Sequence, residues 1–220
     1  MPYYPVNLDV NHRNCLVVGG GRVGTRKVRT LLACGARVTV ISPEVTPELE
    51  ALAEQGRIQW HRRNYRTSDL DDTFLVIGAS DDQRLNRNIH QDAEMARRLC
   101  NIADQPDLCN FILPAIVRQG DLMIAISTGG KSPAFAKHMR QQLENHFGPE
   151  YGAFLKLMGA IRNRLLAEEH APEAHKTLFE QLIAGGLLEL IRSDDEKGIN
   201  NLLTRVLGPG FDYQSLVQTP

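Results

Sequence analysis

Four consecutive apolar residues, Cys15-Leu16-Val17-Val18, break on Gly19-Gly20-Gly21-Arg22-Val23-Gly24, and Val28, Leu31 and Leu32 then recur at helical spacing over residues 25–33. Nothing else in the chain restricts its fold as tightly. A short apolar run closed by glycines reads as a strand buried on both faces, the condition of a parallel sheet. The loop has the G-x-G-x-x-G spacing between a strand and a helix. Gly19 allows the tight turn, Gly21 a close approach of backbone to a ligand, and Gly24 close packing of helix on strand. Unpaired N–H groups at the helix start favour an anion. The segment therefore points to a dinucleotide with its pyrophosphate on the helix N-terminus. The competing interpretation is a tight turn with no ligand.

The pattern repeats. Gly35 is expected to stop the first helix. Further strands are expected at 37–41 (closed by Ser42-Pro43), 58–60, 74–77 and 100–104, with helices at 47–55 and 85–99 between them. Strands alternating with helices imply right-handed crossovers and a doubly wound parallel sheet. The pattern then changes. Apolar runs at 111–117 and 122–127, joined by Arg118-Gln119-Gly120-Asp121, read as a hairpin. Helices are expected at 134–147, 151–169, 173–183 and 195–207, broken at Gly148-Pro149 and Ala171-Pro172, with Ser193-Asp194-Asp195-Glu196 as a capping box. The expected fold is α/β: a Rossmann-like parallel sheet over 1–113, a hairpin–helix element over 114–150 and a helical tail over 151–220.

Composition excludes several classes. With 220 residues, 42% hydrophobic and 23% charged, the chain can bury a core as one large domain or a domain plus appendage. Lys and Arg total 25 against 26 Asp and Glu, a net charge of -1, which argues against a general nucleic-acid or membrane-surface binder. No apolar run approaches the ~18 residues of a bilayer span, and Met1-Pro2-Tyr3-Tyr4-Pro5 lacks the features of a secretory leader. Cys15, Cys34, Cys100 and Cys109 form no CxxC pair, so no structural zinc is expected and a reduced, cytoplasmic setting fits. His12, His61, His90, His138, His146, His170 and His175 are scattered and read as surface or packing residues. No metal site is expected.

In an open α/β sheet, ligands sit outside the carboxyl ends of the strands. The second strand ends at Ser42 with no carboxylate to take a ribose. Ser42 and the backbone around Pro43 are candidates to hold the adenosine ribose, with Glu44 as a second contact. No Arg follows the strand to receive a 2′-phosphate, which favours NAD over NADP. Arg22 either reaches a phosphate or acidic substrate or is an exposed loop residue. Asp81 and Asp82 read as helix-entry acids. Asp104 ends a strand before Gln105-Pro106; it is either a crevice-facing base or a turn-forming aspartate. Thr128-Gly129-Gly130-Lys131-Ser132, ahead of Pro133, is either an anion-binding concavity or a capped helix start, with Lys137 and Arg140 adding positive charge. It is not a P-loop, because Ala125 stands where the first glycine would be.

These residues together resemble the precorrin-2 dehydrogenase / sirohydrochlorin ferrochelatase family, the N-terminal module of siroheme synthases. The matching segments are Cys15 to Gly24, Asn101-Ile102-Ala103-Asp104-Gln105-Pro106, Phe111-Ile112-Leu113-Pro114-Ala115 and Ser127 to Pro133, with Tyr4-Pro5-Val6-Asn7-Leu8 like the family's start. The resemblance is specific to about residue 150; beyond it, only length and helical character match. It implies NAD-dependent oxidation of precorrin-2 to sirohydrochlorin and, in some members, insertion of ferrous iron to give siroheme. It places the essential aspartate on Asp104, the NAD contacts on Arg22-Val23 and Pro43-Glu44, and a position that is serine in some members on Thr128. It also implies a homodimer built through the hairpin and following helix. No segment matches the methyltransferase domain of fused members, so precorrin-2 is expected from another protein. Residue chemistry alone leaves two other readings: an NAD-dependent dehydrogenase of another small polar substrate, and a non-catalytic NAD-sensing domain.

Overall fold

The computed structural model describes residues 3–167 and 172–218, apart from the side chains of residues 172–174. Met1, Pro2, Glu169, His170 and Ala171, which entered the reading above, lie outside the described residues. The chain divides into two compact units, Met1–Leu113 and Pro114–Pro220.

In the first unit β1 (Asn14–Gly20), α1 (Arg22–Ala33), β2 (Arg37–Val45), α2 (Pro47–Glu54), β3 (Gln59–His61), β4 (Leu75–Gly78), α3 (Gln83–Met95) and β5 (Leu99–Ile102) follow one another, with 3-10 turns at Thr67–Leu70 and Pro106–Leu108. The five strands pair in parallel in the order β3-β2-β1-β4-β5. Side chains alternate across β1: Cys15 and Val17 enter one core with Val28, Leu31 and Leu49, while Leu16 and Val18 enter another with Ile89 and Ala93. Helices thus cover both faces, α1 and α2 on one and α3 on the other. This is the Rossmann-like sheet expected, and it explains why β1 is apolar at each position from Cys15 to Val18 rather than at alternate ones.

Local departures have physical causes. Strand β2 runs on through Ser42-Pro43 to Val45, because the register breaks between Val18 and Gly20 and Gly20 then pairs with Val45; in that irregularity Pro43 need not supply a ladder N–H. Helix α3 stops at Met95 rather than at 99. Arg97 turns left-handed (φ 53), Arg98 N–H caps Ala93 O at 2.8 Å, and Leu99 pairs with Leu75.

In the second unit, β6 (Ala115–Gln119) and β7 (Leu122–Ile126) form the antiparallel hairpin. The strand starts at Ala115, not at 111, because Pro114 lacks an N–H and Phe111 packs on the core of the first unit's sheet. Gly120-Asp121 alone makes the turn. The helices are α4 (Pro133–His146), α5 (Glu150–Ala167), α6 (Pro172–Ala184), α7 (Leu187–Arg192), α8 (Glu196–Leu207) and α9 (Tyr213–Gln218). Six-residue α7 and α9 escaped the periodicity because tertiary packing of Leu187, Ile191 and Leu216 forms them. Asp195 caps α8, accepting from Gly198 N at 2.9 Å, whereas Ser193 bonds back to Glu189 O. The capping box anticipated at Ser193 does not form. Among the described residues no helix is long and apolar enough to cross a membrane.

Candidate active site

The carboxyl ends of β1, β4 and β5 carry the site. Gly19 has φ +112, and a Cβ there would lie 2.4 Å from Ala79 O. A Cβ on Gly24 would lie 2.1 Å from Gly19 O, so helix α1 presses directly on the turn. Gly21, the N-cap of α1, has no side-chain cap and nothing within 4 Å of its missing Cβ. The first turn, Arg22-Val23-Gly24, holds no acidic residue. Its N–H groups are therefore left for an anion, and the space above Gly21 admits one. This cradle fits a dinucleotide pyrophosphate.

Ser42, expected at the adenosine ribose, is also tied into the backbone of the glycine loop. Its buried hydroxyl accepts Gly20 N–H at 3.1 Å and donates to Glu44 O at 2.5 Å, pinning the glycine loop to the end of β2. It has no donor left for a ribose. Pro43 and Glu44 stand exposed at the rim. Ser42→Ala is expected to lower unfolding free energy by about 1–3 kcal/mol, since Gly20 N–H loses its acceptor; urea unfolding checks this, and an unchanged midpoint would count against the pinning role.

Asp82 caps α3, its carboxylate accepting Arg84 N–H and Leu85 N–H, as a helix-entry acid does. Asp81 stands exposed in the turn before it. Asn86 is buried and donates to Ser80 O at 2.8 Å, fixing the turn against which Gly19 packs.

Asp104 follows β5 with a left-handed backbone (φ 58) and an exposed side chain. Among the described residues no group donates a hydrogen bond to its carboxylate, so it does not act as the bond-forming turn aspartate. Its loop is closed by the Cys109 thiol, whose Sγ accepts Ile102 N–H at 3.2 Å and lies 3.2 Å from Gln105 O. Burial pushes the Cys109 thiol up, against the bond from Ile102 N–H and the Lys27 charge. Lys27, half-buried on α1, is pushed down chiefly by its own burial, while Asp104 and Cys109 pull it back up. A desolvated cation thus sits within electrostatic reach of Asp104. Lys27 and Cys109 escaped the sequence reading because their role depends on α1 coming within electrostatic reach of the loop after β5; the only local signal was a Lys interrupting the inner face of α1.

Arg22, Thr25, Arg26, Arg29, Thr46 and Glu48 line a groove of about 320 Å³ along α1, beside the end of β2. The 22, 26, 29 spacing puts these arginines on one helix face, a signal that was available.

In the second unit, Ser132 caps α4 by accepting Phe135 N–H at 3.1 Å, and Thr128 Oγ1 accepts Ser132 N–H at 3.1 Å. Gly129 (φ 60) and Gly130 (φ 80) have open space where a Cβ would be, and Lys131 is exposed. Arg140 pairs with Glu144 at 2.9 Å. The turn is thus a capped helix start that also presents open backbone. Among the described residues no three His, Cys, Asp or Glu gather as a metal-ligand set.

Comparisons with known proteins agree with this geometry. A family described as "Putative NAD(P)-binding" matches residues 6–115, and "Sirohaem biosynthesis protein central" matches 119–146. A siroheme synthase of Thioalkalivibrio sulfidiphilus is 37% identical over 215 residues, 96% of this chain and 43% of that protein. One of Chromobacterium violaceum is 35% identical over 218 residues, 99% and 46% respectively. The chain thus spans less than half the length of these curated relatives. The solved structure of SirC, precorrin-2 dehydrogenase, superposes with a TM-score of 0.80 at 25% identity, covering 93% of this chain and 99% of that one. Over residues 6–115, half of its length, the chain belongs to the putative NAD(P)-binding family, and residues 119–146 are similar to the central segment of sirohaem biosynthesis proteins.

Proposed function

We propose that this chain oxidises precorrin-2 to sirohydrochlorin with NAD. The observation that carries the reading is the unbonded Asp104 carboxylate at the same sheet edge as the uncapped start of α1. The likeness to siroheme synthases and to a precorrin-2 dehydrogenase supports it. Bound NAD supplies a hydride acceptor. Gly19, Gly21, Arg22, Val23 and Gly24 hold its pyrophosphate through backbone N–H groups, with Pro43 and Glu44 at the adenosine rim. Asp104 takes the proton released as the macrocycle loses a hydride, so precorrin-2 and NAD give sirohydrochlorin, NADH and one proton. Lys27 places positive charge within electrostatic reach of that carboxylate. The open turn Thr128-Gly129-Gly130-Lys131-Ser132 receives substrate carboxylates. Ferrous iron is a second substrate, entering sirohydrochlorin as its pyrrole N–H protons leave to Asp104 or water.

We further propose a homodimer formed through the outer face of the hairpin. Ile116 and Met123 point outward there, and Phe135 is exposed on α4. A two-stranded sheet with apolar side chains on its free face is incomplete alone; sedimentation equilibrium giving a monomer would sink this part.

The test is incubation with precorrin-2 and NAD, followed by ferrous ion, recording the spectrum at each stage. Stoichiometric NADH with sirohydrochlorin is expected first and a siroheme spectrum after iron. Nucleotide binding without turnover would support a sensing domain, and turnover only with other polar substrates would support a different dehydrogenase; either would overturn the proposal.

A further inference from the structure

The groove along α1 holds an unusual charge arrangement. Three arginines, Arg22, Arg26 and Arg29, border it from one helix face, and Thr46, just past the end of β2, forms its other side. When a pyrophosphate sits at the start of α1, the adenosine ribose lies beside the carboxyl end of β2, which is this groove. Arginines are the residues best suited to a phosphate, and here they come from α1 rather than from the segment after β2. Left alone, they would make a site for a ribose 2′-phosphate.

One of them, Arg29, is engaged. Glu48, in the first turn of α2, takes Nε and Nη2 of Arg29 on its two carboxylate oxygens. Arg29 holds this carboxyl below the usual carboxylate range. The pair takes two of the five N–H donors of Arg29 and fixes a carboxylate on the groove wall. Arg22 and Arg26 complete the charged lining, and between them and the pair the Thr25 and Thr46 hydroxyls share a hydrogen bond of 2.8 Å. Where the ribose meets the Glu48 carboxylate, that single negative charge accepts hydroxyl donors and repels a phosphate placed against it.

We propose that Glu48, held by Arg29, is the coenzyme-selectivity residue of this chain: it accepts the free ribose diol of NAD and excludes the 2′-phosphate of NADP. Selectivity of this kind needs a repulsive element as well as an attractive one, and Glu48 supplies both. The inference rests on the proposed placement of the dinucleotide across the glycine loop.

Direct fluorescence titration with NADH and NADPH, without substrate, tests it. The wild-type chain is expected to bind NADH at least about tenfold more tightly than NADPH, the scale of one charge-assisted contact. Glu48→Gln keeps the side-chain shape and leaves the Thr46 cap of α2 in place. It should tighten NADPH about tenfold or more and weaken NADH, reversing or levelling the preference. Adding Arg29→Met to Glu48→Gln should remove the gain, because the freed guanidinium is what takes the phosphate. A Glu48→Gln ratio of the two dissociation constants within twofold of wild type would overturn the inference. So would a wild-type chain that binds NADPH as tightly as NADH. Failure of either nucleotide to bind the wild-type chain would overturn the placement of the dinucleotide itself, an outcome distinct from a fixed ratio.

Discussion

Asp104→Asn is expected to slow NADH formation from precorrin-2 by about 10²- to 10⁴-fold, the range of a lost general base. Asn is the informative replacement because Asp104 has φ 58. Asparagine enters the left-handed region about as readily as aspartate, whereas alanine adds strain of roughly 1–2 kcal/mol. A loss in Asp104→Asn therefore reports the missing carboxylate and not a distorted loop. Dinucleotide binding is proposed for the glycine cradle, so the NADH dissociation constant should move by less than about threefold, well under one charge-assisted contact. The Cys109 thiol keeps the loop closed in this variant, and melting behaviour should match wild type. A variant turning over at near wild-type rate would remove Asp104 from the chemistry.

Gly19→Ala should be the most damaging single-methyl change in the coenzyme unit. The residue has φ +112, where L side chains are strained by about 1–3 kcal/mol. The added methyl would also overlap the Ala79 carbonyl, and overpacking adds about 1–3 kcal/mol. Relief by movement is blocked from the other side, because Gly24 of α1 packs on the Gly19 carbonyl. The combined loss of about 2–6 kcal/mol is a large part of a typical domain's 5–15 kcal/mol. Urea unfolding should show the lowered midpoint, and NADH titration should show binding abolished in whatever remains folded. Normal affinity with an unchanged midpoint would mean that the turn has room the structure denies it.

The parallel sheet was legible because its signals are local: β1 is apolar at each position from Cys15 to Val18, and glycines mark where it ends. Asp104 was legible by position, as the acid that closes the last strand. What sequence did not show depends on contacts between distant segments. Ser42 looked like a ribose ligand because it ends an apolar run; only the register break beside Gly20 shows its hydroxyl spent on two backbone groups. The pairing of Arg29 on α1 with Glu48 on α2 depends on two helices that sequence alone does not bring together. Lys27 and Cys109 acquire meaning from the crossing of α1 and the loop after β5. The end of α3 was overrun because Ala96 continues the apolar period, and a left-handed Arg97 has no compositional marker.

The strand order has a consequence for synthesis. Cys15 of the central strand finds one neighbour in Val38, but its other, Leu75, is translated sixty positions later. At ~5–20 residues per second, a ribosome needs about 3–12 s to deliver it. Through that interval the emerging chain carries a half-satisfied apolar ribbon, which is the surface that trigger-type chaperones grip. Codon choice across the stretch between these strands therefore sets how long the nascent polypeptide depends on such help, and faster decoding there shortens its exposure to aggregation.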